Sequence, residues 1–427
     1  MKPGQLVETV IEKGVYRGRG LGRVEGRVVL VPRAHPGDRA RVRVVAVHAG
    51  WAEGALVEVL DAAPLRRPSP CPYVPRCGGC AYQDLAYEAQ LQVKEAILRE
   101  SLARARAPWD GDVTVHTSPE RGWRMRASLH FAATQGGLRL GLRQEGTRRV
   151  VDVEACLQLS ERMNRAARGL RQALVERPAV WARLRGLDLL ESPDGSALVA
   201  SLETTLSPRE APALAALGGD LGLCGFGVGT GRRHQWLHGT PFVEAVVLGV
   251  TLRAHSRSFF QANRFLLEPL ARTVVGLVPT GSGRVIDLYA GVGLFALPLG
   301  ARGEAEVLAV EWADSAAENT RWAARRQGLD AVRIVTGDVA KALADTRPRA
   351  GERVVLDPPR TGAGQEVVGL VAGRDPEAVV YVSCDPPTLG RDLAAFASRG
   401  YRPDAVHLFD LFPDTFHMET IVRLRRS

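Results

Sequence analysis

The sequence predicts an α/β chain: an open, largely parallel sheet over residues 256–427, preceded by a small β-barrel over 1–62 and an α+β central region over 63–255. Three observations carry this. Apolar runs in the last segment stop at acids, at Asp287, Glu311, Asp338 and Asp357, the first of them followed by a glycine turn and a helix start. A further run, Ala378 to Val382, is rich in β-branched residues and stops at Cys384-Asp385-Pro386-Pro387, because prolines cannot continue a ladder. At the N-terminus, short strand-like stretches are punctuated by Gly and Pro, the pattern of a small barrel.

The barrel strands are read at Val7 to Ile11, Gly26 to Val31, Arg41 to Val47 and Trp51 to Leu60. Between the first two lies Tyr16-Arg17-Gly18-Arg19-Gly20-Leu21-Gly22-Arg23, read as a loop. Its glycines let a backbone approach phosphates, and its ring could stack on a base. A flexible basic hairpin tip is the plainer reading. Residues 61–70, rich in Pro, Ala and Arg, read as a linker.

Cys71, Cys77 and Cys80 then fall within ten residues, and Cys156 could join them. Four thiolates suit zinc or a [4Fe–4S] cluster, and spacing alone does not choose between them. Cys224 has no such neighbours and reads as core. Tyr87 to Arg106 has helical periodicity, with Leu91, Ile97, Leu98 and Leu102 on one side and Glu88, Lys94, Glu95, Arg99 and Glu100 on a solvated face. This helix is expected to pack on the last segment. Residues 123–155 read as a basic meander carrying Arg124, Arg126, Arg139, Arg143, Arg148 and Arg149, a solvated sheet face or a contact for an RNA backbone. From 160 to 250 helix-like and strand-like stretches mix, such as Glu161 to Glu176 and Ala197 to Glu203. His234 and His238, if on a helix, are spaced as a surface pair more often than as ligands.

The totals set limits. The chain has 427 residues, enough for two or three domains, and no apolar run that could cross a bilayer. Its N-terminus lacks the apolar region of a secretory signal, so a cytoplasmic protein is expected. A net charge of +9 suggests an acidic partner, nucleic acid first. Only four of the basic residues are lysine, a bias toward arginine that genomic base composition explains in large part.

The chemistry is read from the sheet edge. Gly291 and Gly293 let a ligand approach the helix start, and Glu311, ending the next strand, can accept both hydroxyls of a ribose. A glycine turn alone would equally suit a nicotinamide cofactor. The full acidic series shifts the balance, and it resembles the Rossmann-like S-adenosylmethionine methyltransferases, in which the acid after the third strand, here Asp338, faces the adenine. Asp357-Pro358-Pro359 is followed by Arg360 rather than an aromatic, which argues against an amine methyltransferase. A thiol is needed where the acceptor is carbon 5 of a pyrimidine, too weak a nucleophile by itself. A thiolate adding at carbon 6 makes carbon 5 enolate-like. Cys384 fits that role, and the helix start beyond it would lower its pKa. A lone thiol in such a place is otherwise more often structural. A base must then remove the carbon 5 proton, and Glu419, in His417-Met418-Glu419, opens a final apolar strand that could present it.

Taken together, Cys71/Cys77/Cys80/Cys156, Phe259-Phe260-Gln261-Ala262-Asn263, Asp287-Leu288-Tyr289-Ala290-Gly291-Val292-Gly293, Asp357-Pro358-Pro359-Arg360, Ser383-Cys384-Asp385-Pro386 and His417-Met418-Glu419 resemble the RNA uracil-5-methyltransferases with a TRAM domain and an iron–sulfur cluster, over nearly the whole chain. The resemblance implies Cys384 as nucleophile and Glu419 as base. It implies Gln261, Tyr289, Glu311, Asp338 and Asp357 around S-adenosylmethionine and the uracil, and Phe259 against the target base. It implies Cys71, Cys77, Cys80 and Cys156 as ligands of a structural, RNA-orienting [4Fe–4S] cluster. Leu294 departs, standing where some relatives have a polar residue. The expected partner is structured RNA, 23S ribosomal RNA ahead of transfer RNA, with no membrane and a monomeric chain. The rivals are a non-catalytic iron–sulfur RNA-binding protein and a methyltransferase of cytosine or of small substrates.

Overall fold

A computed structural model describes residues 1–207, 209–230 and 233–426. At the N-terminus, Leu6–Val15, Arg19–Val24, Arg27–Pro32, Arg39–Val47 and Trp51–Asp61 close into a five-stranded barrel. Alternation drives it: Val7, Ile11, Val29, Val31, Val42 and Ala52 point inward and are buried, while the residues between them meet solvent. One strand was missed in the sequence. Arg19–Val24, read as part of a loop, pairs with Arg27–Pro32, and only the hairpin tip at Tyr16-Arg17-Gly18 is a turn. Its glycines had masked it. They serve close packing instead, since a Cβ on Gly20 would stand 2.3 Å from the Ala34 carbonyl oxygen.

The segment after the barrel is pinned rather than loose. Arg66 donates to both Asp38 and Asp84, and its backbone bridges Leu85. The helix Tyr87–Arg104 follows and packs against the helix Pro386–Ala397. Ile97, Leu98 and Leu102 are buried there, worth about 1.5–3 kcal/mol each. Lys94, expected on the solvated face, is fully buried and paired with Asp410 at 2.5 Å. Of that polar face, Glu88 is exposed and Glu95, Arg99 and Glu100 are partly so, and Lys94 is the one that turns inward.

The central region is a seven-stranded sheet, in the order Arg233–Gly239, Gly225–Thr230, Leu198–Thr204, Leu184–Glu191, Arg126–Thr134, Gly137–Arg143, Val150–Asp152, backed by the helix Glu161–Val175. Ser160 caps that helix, accepting from the Met163 N–H. His234 and His238 lie on a strand rather than a helix, and the His234 ring is 2.6 Å from the Ser201 hydroxyl. Arg139, Arg143, Arg148 and Arg149 are exposed. Arg126 instead donates to the Ser256 and Ser258 carbonyls, and Arg124 is half-buried beside Trp123. Cys224 is half-buried and donates to the Leu198 carbonyl, as a core thiol does.

The last domain is built on an eight-stranded sheet ordered Val332–Thr336, Val307–Glu311, Val285–Leu288, Arg353–Leu356, Ala378–Ser383, Glu419–Arg426, Tyr401–Phe409, Val113–His116. The first five strands run parallel, and Glu419–Arg426 is antiparallel to its neighbours. Val113–His116 comes from the stretch assigned to the central region, yet it extends this sheet beside Tyr401–Phe409. Valine, isoleucine and leucine fill the strands because both faces are covered. At the amino-terminal ends of the strands, Glu352 binds Arg284 and Arg374, and Glu304 binds Arg353, in buried ion pairs. The carboxyl ends are left for the site, and the strand order reverses at Val285–Leu288 and Arg353–Leu356, where such sheets bind ligands.

Candidate active site

Several strand ends at that edge contribute. Val285–Leu288 runs into Tyr289 and Gly291, both with left-handed backbone (φ +64° and +55°), so the chain turns sharply and leaves the Gly291 side open. Glu311 ends the next strand, and its two oxygens accept from the Gly291 N–H (2.8 Å) and the Ala313 N–H (2.7 Å). It is thus locked in place with lone pairs to spare. Asp357 and Cys384 directly follow their strands. Glu419 begins its strand, but that strand runs antiparallel and pairs Thr420 with Ser383, so its start lies level with the end that carries Cys384.

These side chains share one pocket of about 470 Å³. Gln261, Tyr289, Gly291 and Glu311 line it together with Cys384, Glu419, Asp357, Arg360 and Phe259. Phe259 is 68 % exposed, an unusual state for a phenylalanine without a partner. The segment that carries it is fixed by its neighbours. Asn263 donates to the Ser118 hydroxyl and the Leu411 carbonyl, and accepts from the Phe265 and Leu266 N–H groups. Leu294 is buried in the core and does not line the pocket. Asp338, expected at the adenine, does not line it either. It caps the helix Val339–Asp345 by accepting from the Lys341 N–H at 2.9 Å. A larger concavity of about 660 Å³ between Tyr73, Glu154 and Arg168 is lined by no thiol and by no strand end of the eight-stranded sheet.

The electrostatics correct one expectation. Cys384 is not a low-pKa thiol: burial, then Glu419 and Asp357, push it up to about 12, against the pull of Arg360. A helix does begin just beyond it, at Pro386, with Asp385 as its cap and the prolines in its first turn. Its positive end is offset by the carboxylates around the thiol. Burial and then Asp357 hold Glu419 well above the ordinary carboxyl range, and Asp357 itself is pushed up to about 7 by burial and Glu311. Asp287, fully buried behind the turn, is raised well above its usual value by burial and Asp357. The pocket therefore gathers carboxyl groups, Asp357 and Glu419, whose affinity for protons is raised, with Arg360 as the cation beside them. His417, lowered to about 4 by burial and by Arg360, stays neutral.

Arg360, His417 and Phe412 were quoted in motifs or passed over, yet all three line the pocket. The signal for Arg360 was its place directly after two prolines that end a site strand. Phe412 carried no such signal, since it is positioned by the loop Asp410 to Met418. That loop is held from outside the domain. Asp414 accepts from Gln83 and Gln90, and its carbonyl accepts from the Ala81 and Tyr82 N–H groups. Lys94 donates to the Phe412 carbonyl.

The same contacts lead to the cysteines. Cys71, Cys77, Cys80 and Cys156 line one small cavity, and none is in a disulfide. Among the described residues no three or more His, Cys, Asp or Glu side chains form a group that could hold a metal ion. The Gln158 side chain donates to the Cys80 sulfur at 3.0 Å and the Pro413 carbonyl at 3.3 Å, and the Gly79 N–H donates to the Cys77 sulfur at 3.4 Å. Among the described residues, no helix is long and apolar enough to cross a membrane.

Comparison with known proteins agrees with this geometry. Residues 86–427 match the family model described as tRNA (uracil-5-)-methyltransferase, and residues 2–57 match the TRAM domain. The chain is 32 % identical over 437 residues to the 23S rRNA (uracil(1939)-C(5))-methyltransferase RlmD of Alkalilimnicola ehrlichii, covering 100 % of this chain and 98 % of that one. It is 31 % identical to an uncharacterized RNA methyltransferase of Thermosynechococcus vestitus, covering 99 % of each. Among solved structures, the tRNA (uracil-54, C5)-methyltransferase of Pyrococcus abyssi in complex with S-adenosyl-L-homocysteine superimposes with a TM-score of 0.77 at 25 % identity, over 98 % of this chain and 100 % of that one.

Proposed function

The chain belongs to the tRNA (uracil-5-)-methyltransferase family, and from that premise we propose that it methylates carbon 5 of a uridine in structured RNA, with 23S ribosomal RNA as the substrate. The observation that carries the reading is the convergence of a thiol and a buried carboxylate, Cys384 and Glu419, in the pocket that also holds the glycine turn and Glu311. S-adenosylmethionine supplies an electrophilic methyl group on a cationic sulfonium. The residues present fit it: Glu311 offers carboxylate oxygens to a ribose, the Gly291 turn leaves room for close approach, and Gln261, Tyr289 and Asp357 complete the wall. Asp338, beyond that wall, keeps one oxygen free for the adenine edge.

Cys384 Sγ bonds to carbon 6 of the uracil, and the carbon 5–carbon 6 π electrons move toward carbon 5 and the carbonyl. The thiol proton passes to the Asp357 carboxylate, and Glu419 is kept as a carboxylate for the later step. Carbon 5 then takes the methyl group. Glu419 removes the carbon 5 proton, the double bond re-forms, and the thiolate departs. Arg360 stabilises negative charge at Cys384 while it is free. Phe259, already exposed in the pocket lining, packs on the extruded base.

Cys71, Cys77, Cys80 and Cys156 would hold a [4Fe–4S] cluster. Four sulfurs around one small cavity are the donor set that such a cluster takes. The amide donors aimed at Cys77 and Cys80 suit thiolates. Through Gln158 and Gln83 the cluster would brace the loop that carries Phe412 and His417. We further propose that the chain acts on RNA as a monomer in the cytoplasm. Tritium release from RNA labelled at carbon 5 of uridine, and none from RNA labelled at cytidine, is the expected result. Release from cytidine alone would overturn the assignment, and release from transfer RNA but not 23S ribosomal RNA would move it to the substrate of the Pyrococcus relative.

A further inference from the structure

The seam between the barrel and the catalytic domain holds a second pocket, of about 610 Å³, lined by Tyr16 and Arg17 from the barrel hairpin and by Arg360, Asp385, Arg391 and Phe416 from the catalytic domain. It adjoins the reactive pocket, because Arg360 lines both. The hairpin tip is seated firmly. Tyr16 donates to the Asp385 carboxylate at 2.7 Å and meets the Phe416 ring edge-on at 5.9 Å. A Cβ on Gly18 would stand 2.7 Å from the Ala81 side chain and 3.3 Å from Phe416. The ring that looked free to stack on a base is thus committed within the protein.

The charge at this seam is unbalanced. Several other barrel arginines face acids: Arg39 and Arg41 pair with Glu8, and Arg23 with Glu12. Arg17 and Arg360 have no side-chain hydrogen bond or ion pair among the described residues. Arg391 spends Nη2 on the Thr361 carbonyl and Nε on Asp392, leaving further N–H groups. The acid in the lining, Asp385, is already satisfied by Tyr16 and by the Thr388 N–H. A pocket with guanidinium groups in excess, a phenylalanine wall and a shared boundary with the reactive site suits a phosphate joined to a nucleoside.

We propose that this pocket takes the phosphodiester group next to the target uridine, held by Arg17, Arg360 and Arg391, so that the barrel completes the substrate site. The inference rests on the RNA uridine reading and goes beyond it: it names which phosphate is read and by which residues.

The test uses the full chain and defined nucleotides. Uridine and uridine 3′,5′-bisphosphate are titrated into the parent, Arg17→Ala, Arg17→Lys and Arg43→Ala, the last an exposed barrel arginine outside the pocket. The parent and Arg43→Ala should bind the bisphosphate about tenfold more tightly than uridine. Arg17→Ala should lose most of that difference while binding uridine unchanged, and Arg17→Lys should regain part of it. The two uridine monophosphates then identify the flank. Equal affinity of the parent for uridine and its bisphosphate, or an Arg17→Ala variant that keeps the preference, overturns the proposal. Tritium release from uridine-labelled RNA is scored separately, so loss of the pocket and loss of the methyltransferase reading are told apart.

Discussion

Removing the Lys94 ammonium should unfasten the loop that carries Phe412 and His417, and Lys94→Met is the perturbation. Lys94 Nζ lies 2.5 Å from Asp410 Oδ1 and 3.2 Å from the Phe412 carbonyl, and both side chains of the ion pair have no exposure. Burial lowers the lysine pKa, so the pair stands only because the carboxylate repays the lost hydration. Methionine fills the volume but strands Asp410 in the interior, at a cost of about 3–5 kcal/mol. The segment Asp410 to Met418 is held to the helix Tyr87–Arg104 mainly through Lys94 and Gln90, so the cost falls on local opening. At about 1.4 kcal/mol per tenfold, amide hydrogen exchange across 410–418 should speed up by about 100-fold to 4000-fold, while the barrel core exchanges as before. The double variant Lys94→Met/Asp410→Leu, which removes both charges, should recover most of the protection. Unchanged exchange in Lys94→Met, or no recovery in the double variant, would refute the reasoning.

The other predictions concern the pocket and the seam. Asp357→Asn should abolish methyl transfer yet stabilise the protein: the folded carboxyl titrates at about 7 rather than 3.8, so the native state holds the extra proton and parental stability falls as pH rises between those values. The gain approaches an upper bound of about 4 kcal/mol above pH 7 and vanishes near pH 4, so melting temperatures of the two proteins should separate at pH 8 and converge in acid. Arg360→Ala should slow iodoacetamide alkylation of Cys384 at pH 8, by about threefold to tenfold, since the cation opposes the upward pull on the thiol; Cys384→Ala gives the background. Tyr16→Phe should weaken docking of the barrel by about 1 kcal/mol and expose the 61–70 segment to limited proteolysis, with no change in the barrel's own strands.

The sequence disclosed the strand-end chemistry most fully, because a parallel sheet forces its loops to one edge. An acid or thiol that stops a β-branched run is therefore a statement about place as well as type. Glu311, Asp357, Cys384 and Glu419 were legible on that ground, and Gln261, Tyr289 and Phe259 through the motifs around them. Asp338 was legible as a strand-end acid, but not as a helix cap, since either use follows the same pattern. Lys94 misled because its polar neighbours do mark solvent, whereas its own partner, Asp410, lies far along the chain. The thiol's pKa misled for a related reason: a helix start is local and readable, whereas Glu419 and Asp357 reach Cys384 through folding. The barrel's second strand was hidden by glycines that serve close packing, and the Tyr16 to Asp385 bond joins residues too far apart in the chain for any motif to link.

The central claim is that sulfur 384 bonds to the pyrimidine, and Glu419→Gln tests it most directly, since elimination stalls without a base. Incubated with 23S ribosomal RNA and S-adenosylmethionine, this variant should accumulate a covalent protein–RNA species whose peptide map places the nucleotide on Cys384. No such species, or one attached elsewhere and still formed by Cys384→Ala, would contradict the account.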